Sequence, residues 1–334
     1  MSVGPSVVLA MLAFALVALA ALVATTRTAA RRPRVLCLMY HRVVPRATWE
    51  GLRGAERIFS MPEDAFDAQM GWLRAAGWSF VDAAVVAAFA RGEVMLPDRS
   101  TLVTLDDGCA SVHAHAMPVL RRHGAKAVAF ITTDPESAIF RESGEGERRM
   151  SDDEIRELAA ADVTIGSHAV SHRPLSAMSE DEIRRELEDS KRTLEGILGR
   201  PIDSFAVPAN WYDARVLRIA HEVGYAAVYC SLPGTVRRGA GAFPLPRINV
   251  EGHLDLDGFA RTLSPVFIAQ RLLVMTLRAW PKRVVGPRTW TLLRDKVFPW
   301  VGGHWLSPSR MAAVAVAIVV LGLVLAVGWL LATG

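Results

Sequence analysis

Residues 101–108 read TLVTLDDG, an apolar, β-branched run that stops on two adjacent carboxylates and a glycine. Length and composition are those of a buried strand, and the glycine is the punctuation that ends one. A buried carboxylate is costly unless it is paired, and two side by side repel each other. Asp106 and Asp107 therefore need partners or a chemical task.

Outward from this strand the same pattern recurs. Short apolar runs lie at 35–39, 128–131, 163–165, 205–207, 226–229 and 245–248, and helical periodicity fills most of the gaps between them. Three helix starts are expected from capping boxes, Ser60-Met-Pro-Glu63, Ser151-Asp-Asp-Glu154 and Ser179-Glu-Asp-Glu182. After the third, Ile183, Leu187, Leu194, Ile197 and Leu198 form one stripe, and Gly199 with Pro201 ends the helix. Strand, helix, strand in this alternation predicts an α/β fold, as a parallel barrel or an open sheet.

Polar residues gather at the ends of these strands. His41 follows the first run, Asp106 and Asp107 the second, His168 the run at 163–165, and Pro208 that at 205–207, while Arg247 lies in the last. Any one of them reads equally as a strand-end turn residue. Together they mark the face where the loops of such a fold converge on a site.

The stretch SHAVSH at 167–172 places His168 and His172 four apart, and one helical turn would bring both imidazoles to one side. Two imidazoles and one carboxylate hold a divalent metal while leaving positions for water and substrate. Zinc suits that set best, with cobalt, nickel or manganese also compatible. A second carboxylate is then available as general base.

The segments LVTLDDG, GSHAVSH and FAVPANWYD, separated and in this order, resemble the first three signature motifs of the polysaccharide deacetylases of the NodB-homology type, carbohydrate esterase family four. The resemblance spans roughly residues 33 to 250 and implies a distorted (β/α)7 barrel that removes N-acetyl groups from amino sugars with a divalent metal. Carried onto this chain, it makes Asp107, His168 and His172 the metal ligands and Asp106 the base. The opening LCLMYHRV is similar to the poly-N-acetylglucosamine deacetylase subgroup, which makes His41 the general acid. The third motif implies an oxyanion donor in the backbone N–H of Ala209. The substrate implied is an N-acetylglucosamine-type residue in a polysaccharide or lipid-linked glycan. The alternative is a catalytically silent glycan-binding subunit of a polysaccharide synthesis or export complex.

The chain departs from the family pattern in two places. Many members have an Arg leading the third motif and an aromatic after its proline, whereas this chain has Phe205 and Ala209. Arg247 in LPRINV either supplies the missing cation to Asp106 or is a surface Arg packed along its stem. After DDG stand Cys109 and Ser111, where an aromatic and a further acid are common in the family. His113 and His115, two apart on a helix, diverge and read as surface residues. Residues 141–149 (RESGEGERR) read as a solvated loop.

The chain has 334 residues, 51% hydrophobic, with a net charge of +4, which leaves room beyond one catalytic domain. Residues 7–24 and 311–332 carry no charged side chain and match the length needed to cross the roughly 30 Å hydrocarbon core. The organisation expected is a tail (1–6), a transmembrane helix (7–24), a basic linker (25–34), the deacetylase domain (35–260), a basic, Trp-containing membrane-proximal region (261–310) and a second transmembrane helix (311–332). The Lys and Arg flanking the anchors predict an inner-membrane protein whose domain faces the cytoplasm, in contact with membrane lipids, with an extracytoplasmic domain as the alternative. The apolar anchors account for the basic flanks, so nucleic acid is not an expected partner. Cys37, Cys109 and Cys230 are too few and scattered for a disulfide framework.

Overall fold

The computed structural model describes residues 34–142 and 147–272. The chain divides into two units, Met1–Ile268 and Ala269–Gly334, and every candidate site residue lies in the first. The strands are β1 (Arg34–Tyr40), β2 (Arg42–Val44), β3 (Ser60–Pro62), β4 (Ser79–Phe80), β5 (Arg99–Leu105), β6 (Ala127–Ile131), β7 (Val163–Ser167), β8 (Ser204–Ala206), β9 (Ala227–Tyr229), β10 (Val236–Arg237) and β11 (Ile248–Asn249). All seven expected apolar runs lie on or against one sheet. Its order is β10-β1-β5-β6-β7-β8-β9, with β4 also pairing with β5 and β11 with β1. Pairing is parallel except between β1 and β10.

The result is a curled α/β half-barrel. Its two ends are linked through the last expected strand: Leu245 bridges in parallel to Tyr229, and three residues on Ile248 and Asn249 pair with Leu38 and Met39. Arg247 sits inside that link, a placement that matters for the site.

Because the strands alternate faces and both faces are covered, each strand reads as an apolar run rather than an alternating one. Leu36, Leu38, Val103, Leu105, Ala129, Ile131, Val163 and Phe205 pack with Phe66, Met70, Ile155, Ile183, Leu187 and Ile219 of the surrounding helices. Val35, Cys37, Leu102, Val128, Phe130, Ala206 and Tyr229 face the other way, with Val86 and Phe89 of the helix Ala83–Arg91. Thr104 and Asp106 follow Leu102 by two and four residues and therefore share this second face.

The helix starts differ from expectation at one place. Ser151 and Ser179 each form a complete capping box with Glu154 and Glu182. Ser60 does not cap a helix. It is the first residue of β3, whose three residues pair with β2, and the helix Glu63–Ala75 begins after Pro62 without a side-chain cap. Extended pairing with a strand outcompetes the cap that the local sequence offers.

No helix among the described residues is long and apolar enough to cross a membrane. The expectation of a two-anchor inner-membrane protein is corrected accordingly: the longest described helix, Glu180–Leu198, has 19 residues but is amphipathic, with one buried stripe and a charged outer face. Segments 7–24 and 311–332, on which that expectation rested, lie outside the described residues, as does the basic, Trp-containing stretch from 273 onward.

Gly166 in β7 shows how tightly the second face is packed. A Cβ there would stand 2.6 Å from two ring carbons of Phe130 and 3.0 Å from the carbonyl oxygen of Ser204. Phe130 is fully buried and cannot yield freely. Gly166→Ala is expected to destabilise by about 1–3 kcal/mol, measured as a lower midpoint in urea with an unchanged slope.

Candidate active site

The strand ends do place the polar residues together. The β1–β5 ladder continues one step beyond β5, where Asp106 N–H donates to the Tyr40 carbonyl (2.9 Å). The chain then turns sharply through Asp107 (φ 75°) and Gly108 (φ 85°). Gly108 is required twice over, since a Cβ would also fall 2.9 Å from the Ile131 side chain. The turn sends the two carboxylates in different directions.

Asp106 goes to Arg247. The guanidinium donates from Nη1 to Asp106 Oδ1 (2.6 Å) and from Nη2 to Oδ2 (2.7 Å), a bidentate pair. Nη1 also donates to Thr104 Oγ1 (3.0 Å), Nε donates to the Cys230 carbonyl (3.3 Å), and the cation lies 5.5 Å from the centre of the Phe130 ring. Arg247 is 0% exposed and Asp106 3%, so of the two readings of Arg247 the surface one is excluded. Burial alone would raise the Asp106 carboxyl, but the adjacent Arg247 guanidinium outweighs it and lowers it below its ordinary value.

Asp107 goes to the histidines. Its Oδ1 stands 3.6 Å from His168 Nε2 and 3.4 Å from His172 Nε2. These separations exceed those of well-formed hydrogen bonds, and Oδ1 is buried with no hydrogen-bond partner among the described residues. One atom from each of the three residues falls within 4.8 Å of the others. The spacing suits a cation between them better than direct contact. His168 Nδ1–H donates to the Ala206 carbonyl (2.8 Å), which fixes the tautomer and leaves the Nε2 lone pair facing Asp107. Burial pushes His168 down to about 4, so the ring is neutral at physiological pH, as a ligand must be. For Asp107, burial raises the carboxyl, but the adjacent His172 and the charge of His41 hold it well below the usual carboxylate range. The residues present fit a divalent metal.

The two histidines do not meet through a helical turn. Residues 168–172 form a loop in which Ala169 (φ 63°) and His172 (φ 61°) are both left-handed, and the rings lie 5.1 Å apart. Left-handed non-glycine residues cluster here, with Asp107, Ala169, His172, Ala209 (φ 48°) and Asn210 (φ 61°) accounting for five of the six such residues described. That concentration of backbone strain is characteristic of functional sites.

His41 lies between β1 and β2, partly exposed, with its ring edge-on to Phe59 at 4.8 Å. Its charge reaches both aspartates. Ala209 is exposed on the turn Pro208–Asn210 that follows β8, and Asn210 Oδ1 accepts from Ser231 N–H (2.9 Å), tying the turn to the segment after β9. His113 and His115 diverge as expected, to Glu157 (2.9 Å) and Glu63 (3.0 Å).

The stretch 141–149 differs from the solvated loop expected. Residues 143–146 lie outside the described residues, but Arg149 bridges to Cys109, and Glu147 is buried against Arg42 at 3.0 Å. The sequence gives no sign of this pairing, since Glu147 is one acid among several in a polar run. Glu186, which holds the loop between the histidines, is equally inconspicuous.

Residues 94–228 match the family profile described as polysaccharide deacetylase. That span takes in Asp106, Asp107, His168, His172 and Ala209, while His41 and Arg247 lie outside it. A curated protein of Bacillus subtilis (strain 168), provisionally named polysaccharide deacetylase YxkH, is 24% identical over 222 residues, 66% of this chain and 73% of its own. The Streptococcus pyogenes deacetylase PplD, solved in complex with acetate, superposes with a TM-score of 0.59 at 21% identity, covering 69% of this chain and 98% of PplD. IcaB from Ammonifex degensii superposes with a TM-score of 0.58 at 23% identity, covering 70% of this chain and 97% of IcaB. These two likenesses show the shared fold. Through residues 94–228, the span that carries Asp106, Asp107, His168 and His172, the chain is similar to the polysaccharide deacetylases.

Proposed function

We propose that residues 35–260 form a metal-dependent deacetylase that hydrolyses the N-acetyl group of an N-acetylglucosamine-type residue in a polysaccharide. The observation that carries this reading is the convergence of Asp107, His168 and His172 within 4.8 Å, beside an aspartate held by a buried arginine. These three residues would hold the metal, zinc by donor type, with cobalt, nickel or manganese compatible. A divalent cation there supplies Lewis acidity, easing loss of a proton from water and polarising the acyl oxygen.

The chain's own groups divide the remaining work. Asp106, ionised and oriented by Arg247, accepts the proton that the attacking water gives up. Ala209 N–H donates to the acyl oxygen as negative charge builds there, a contribution typically worth about 3–4 kcal/mol. His41 protonates the nitrogen as the C–N bond breaks, so that acetic acid and an amine leave, the acid then giving its remaining proton to solvent. Asp106 ends with one proton more and His41 with one fewer, and exchange with solvent restores both.

Full-length protein stripped of metal with a chelator is expected to release no acetate from N-acetylglucosamine oligosaccharides, and to recover on adding Zn²⁺. Full activity in the stripped protein sinks the reading. His41→Gln is expected to lower kcat on the oligosaccharide about 10²- to 10⁴-fold. A chromogenic acetate ester, whose phenolate departs without a proton, should be affected far less. Equal losses on both substrates would remove His41 from the acid role.

A further inference from the structure

The loop between the two histidines carries two left-handed residues, Ala169 and His172, and neither is glycine. Such a conformation persists only when its surroundings hold it. Its peptide groups show what does so. On the carbonyl side, Ala169, Val170 and Ser171 accept from Thr133 N–H (3.2 Å), Asp134 N–H (3.0 Å) and Ser137 Oγ (2.8 Å). On the amide side, Ala169 N–H donates to Ser167 Oγ (3.2 Å). The next two N–H groups both donate to one oxygen of a single carboxylate: Val170 and Ser171 each reach Glu186 Oε2 at 2.9 Å, while Ser171 Oγ donates to Oε1 (2.5 Å).

We propose that Glu186 is a positioning residue for the metal centre: its carboxylate holds residues 170–171 in the arrangement that brings His172 against His168 and Asp107. This rests on the metal-site reading above. Successive amides converging on one point favour an anion, and bonds to a charged acceptor are shorter and stronger than neutral ones. The carboxylate is itself delivered by a rigid element. The helix Glu180–Leu198 starts at the Ser179 capping box and buries Ile183, Leu187 and Leu194, which fixes its rotation and leaves Glu186 at the edge of the buried stripe. One turn on, Ser190 Oγ shares a 2.7 Å hydrogen bond with Ser167 Oγ, the residue before His168. One helix therefore grips both ends of the ligand-bearing segment, and Glu186 acts on His172 through residues 170–171, which it holds.

The test uses full-length protein, freed of metal and confirmed folded by circular dichroism. Zn²⁺ affinity is measured by competition with a chromogenic chelator, and site geometry by the visible absorption of the Co²⁺ form. Glu186→Ala is expected to weaken Zn²⁺ binding about 10- to 100-fold and to change the Co²⁺ spectrum. Glu186→Gln, which keeps one acceptor oxygen but loses the charge, should fall between it and the parent, and it carries the test if the alanine variant does not fold. Glu188→Ala, on the exposed side of the same helix, should match the parent. A folded Glu186→Ala protein with parental Zn²⁺ affinity and an unchanged Co²⁺ spectrum overturns the proposal. A parent chain that binds neither ion overturns the metal reading itself, a result seen before any substitution is made.

Discussion

Arg247→Met is expected to cost about 3–5 kcal/mol of stability and nearly all deacetylase activity. Methionine fills much of the space and keeps the hydrophobic stem, but it leaves Asp106 as a buried charge without a counterion, and Thr104 and the Cys230 carbonyl without their donor. With the guanidinium gone, burial governs the Asp106 carboxyl and its pKa rises. Two measurements follow. The acid limb of kcat/KM should move to higher pH, because the base is ionised only there. In the parent, Asp106 titrates below its ordinary 3.8, so its stabilising contribution is fully present above that pH and is lost as pH falls further. Adding Asp106→Asn to Arg247→Met removes the second charge, and should recover part of the stability with none of the activity. A variant as stable and as active as the parent would show that the pair neither anchors the fold nor orients a base.

Asp107→Asn is expected to abolish both metal binding and turnover. The amide is nearly isosteric but carries no charge and is a far poorer ligand. The loss in metal affinity should exceed the ~10- to 100-fold typical of changes outside the ligand set. Several kcal/mol of charge stabilisation goes with the metal, so kcat/KM should fall on the order of 10³-fold or more. Asparagine is the informative choice because residue 107 sits at φ 75°, a conformation Asn adopts at lower cost than Ala. Asp107→Ala would add a backbone cost of about 1–2 kcal/mol and blur the comparison. Isothermal titration with Zn²⁺, alongside acetate release, decides the matter: an Asp107→Asn protein that binds Zn²⁺ and turns over like the parent removes Asp107 from the metal set.

Much of the fold is legible in short windows of sequence. The strands appear as apolar runs because a parallel sheet covered on both faces has no polar side. Two of three capping boxes form because a cap involves only four consecutive residues. The third fails where β2 claims Ser60 for pairing, a competition no local window contains. The donor types of the site are also local: DDG ends a strand, and SHAVSH follows one.

The geometry that makes those donors a site is not local. A four-residue spacing suggests a helical turn, yet the histidines converge on a strained loop held by residues 133–137 and by Glu186 from a distant helix. Arg247 and Asp106 are 141 residues apart. By itself the sequence determined where the main strands run and which candidate side chains stand at their ends, because apolar runs and strand-end turns are properties of neighbouring residues. Only the tertiary structure decided that Asp106 pairs with Arg247 and that Asp107 faces two imidazoles, because both depend on the curl of the sheet and on the 245–249 segment linking its ends.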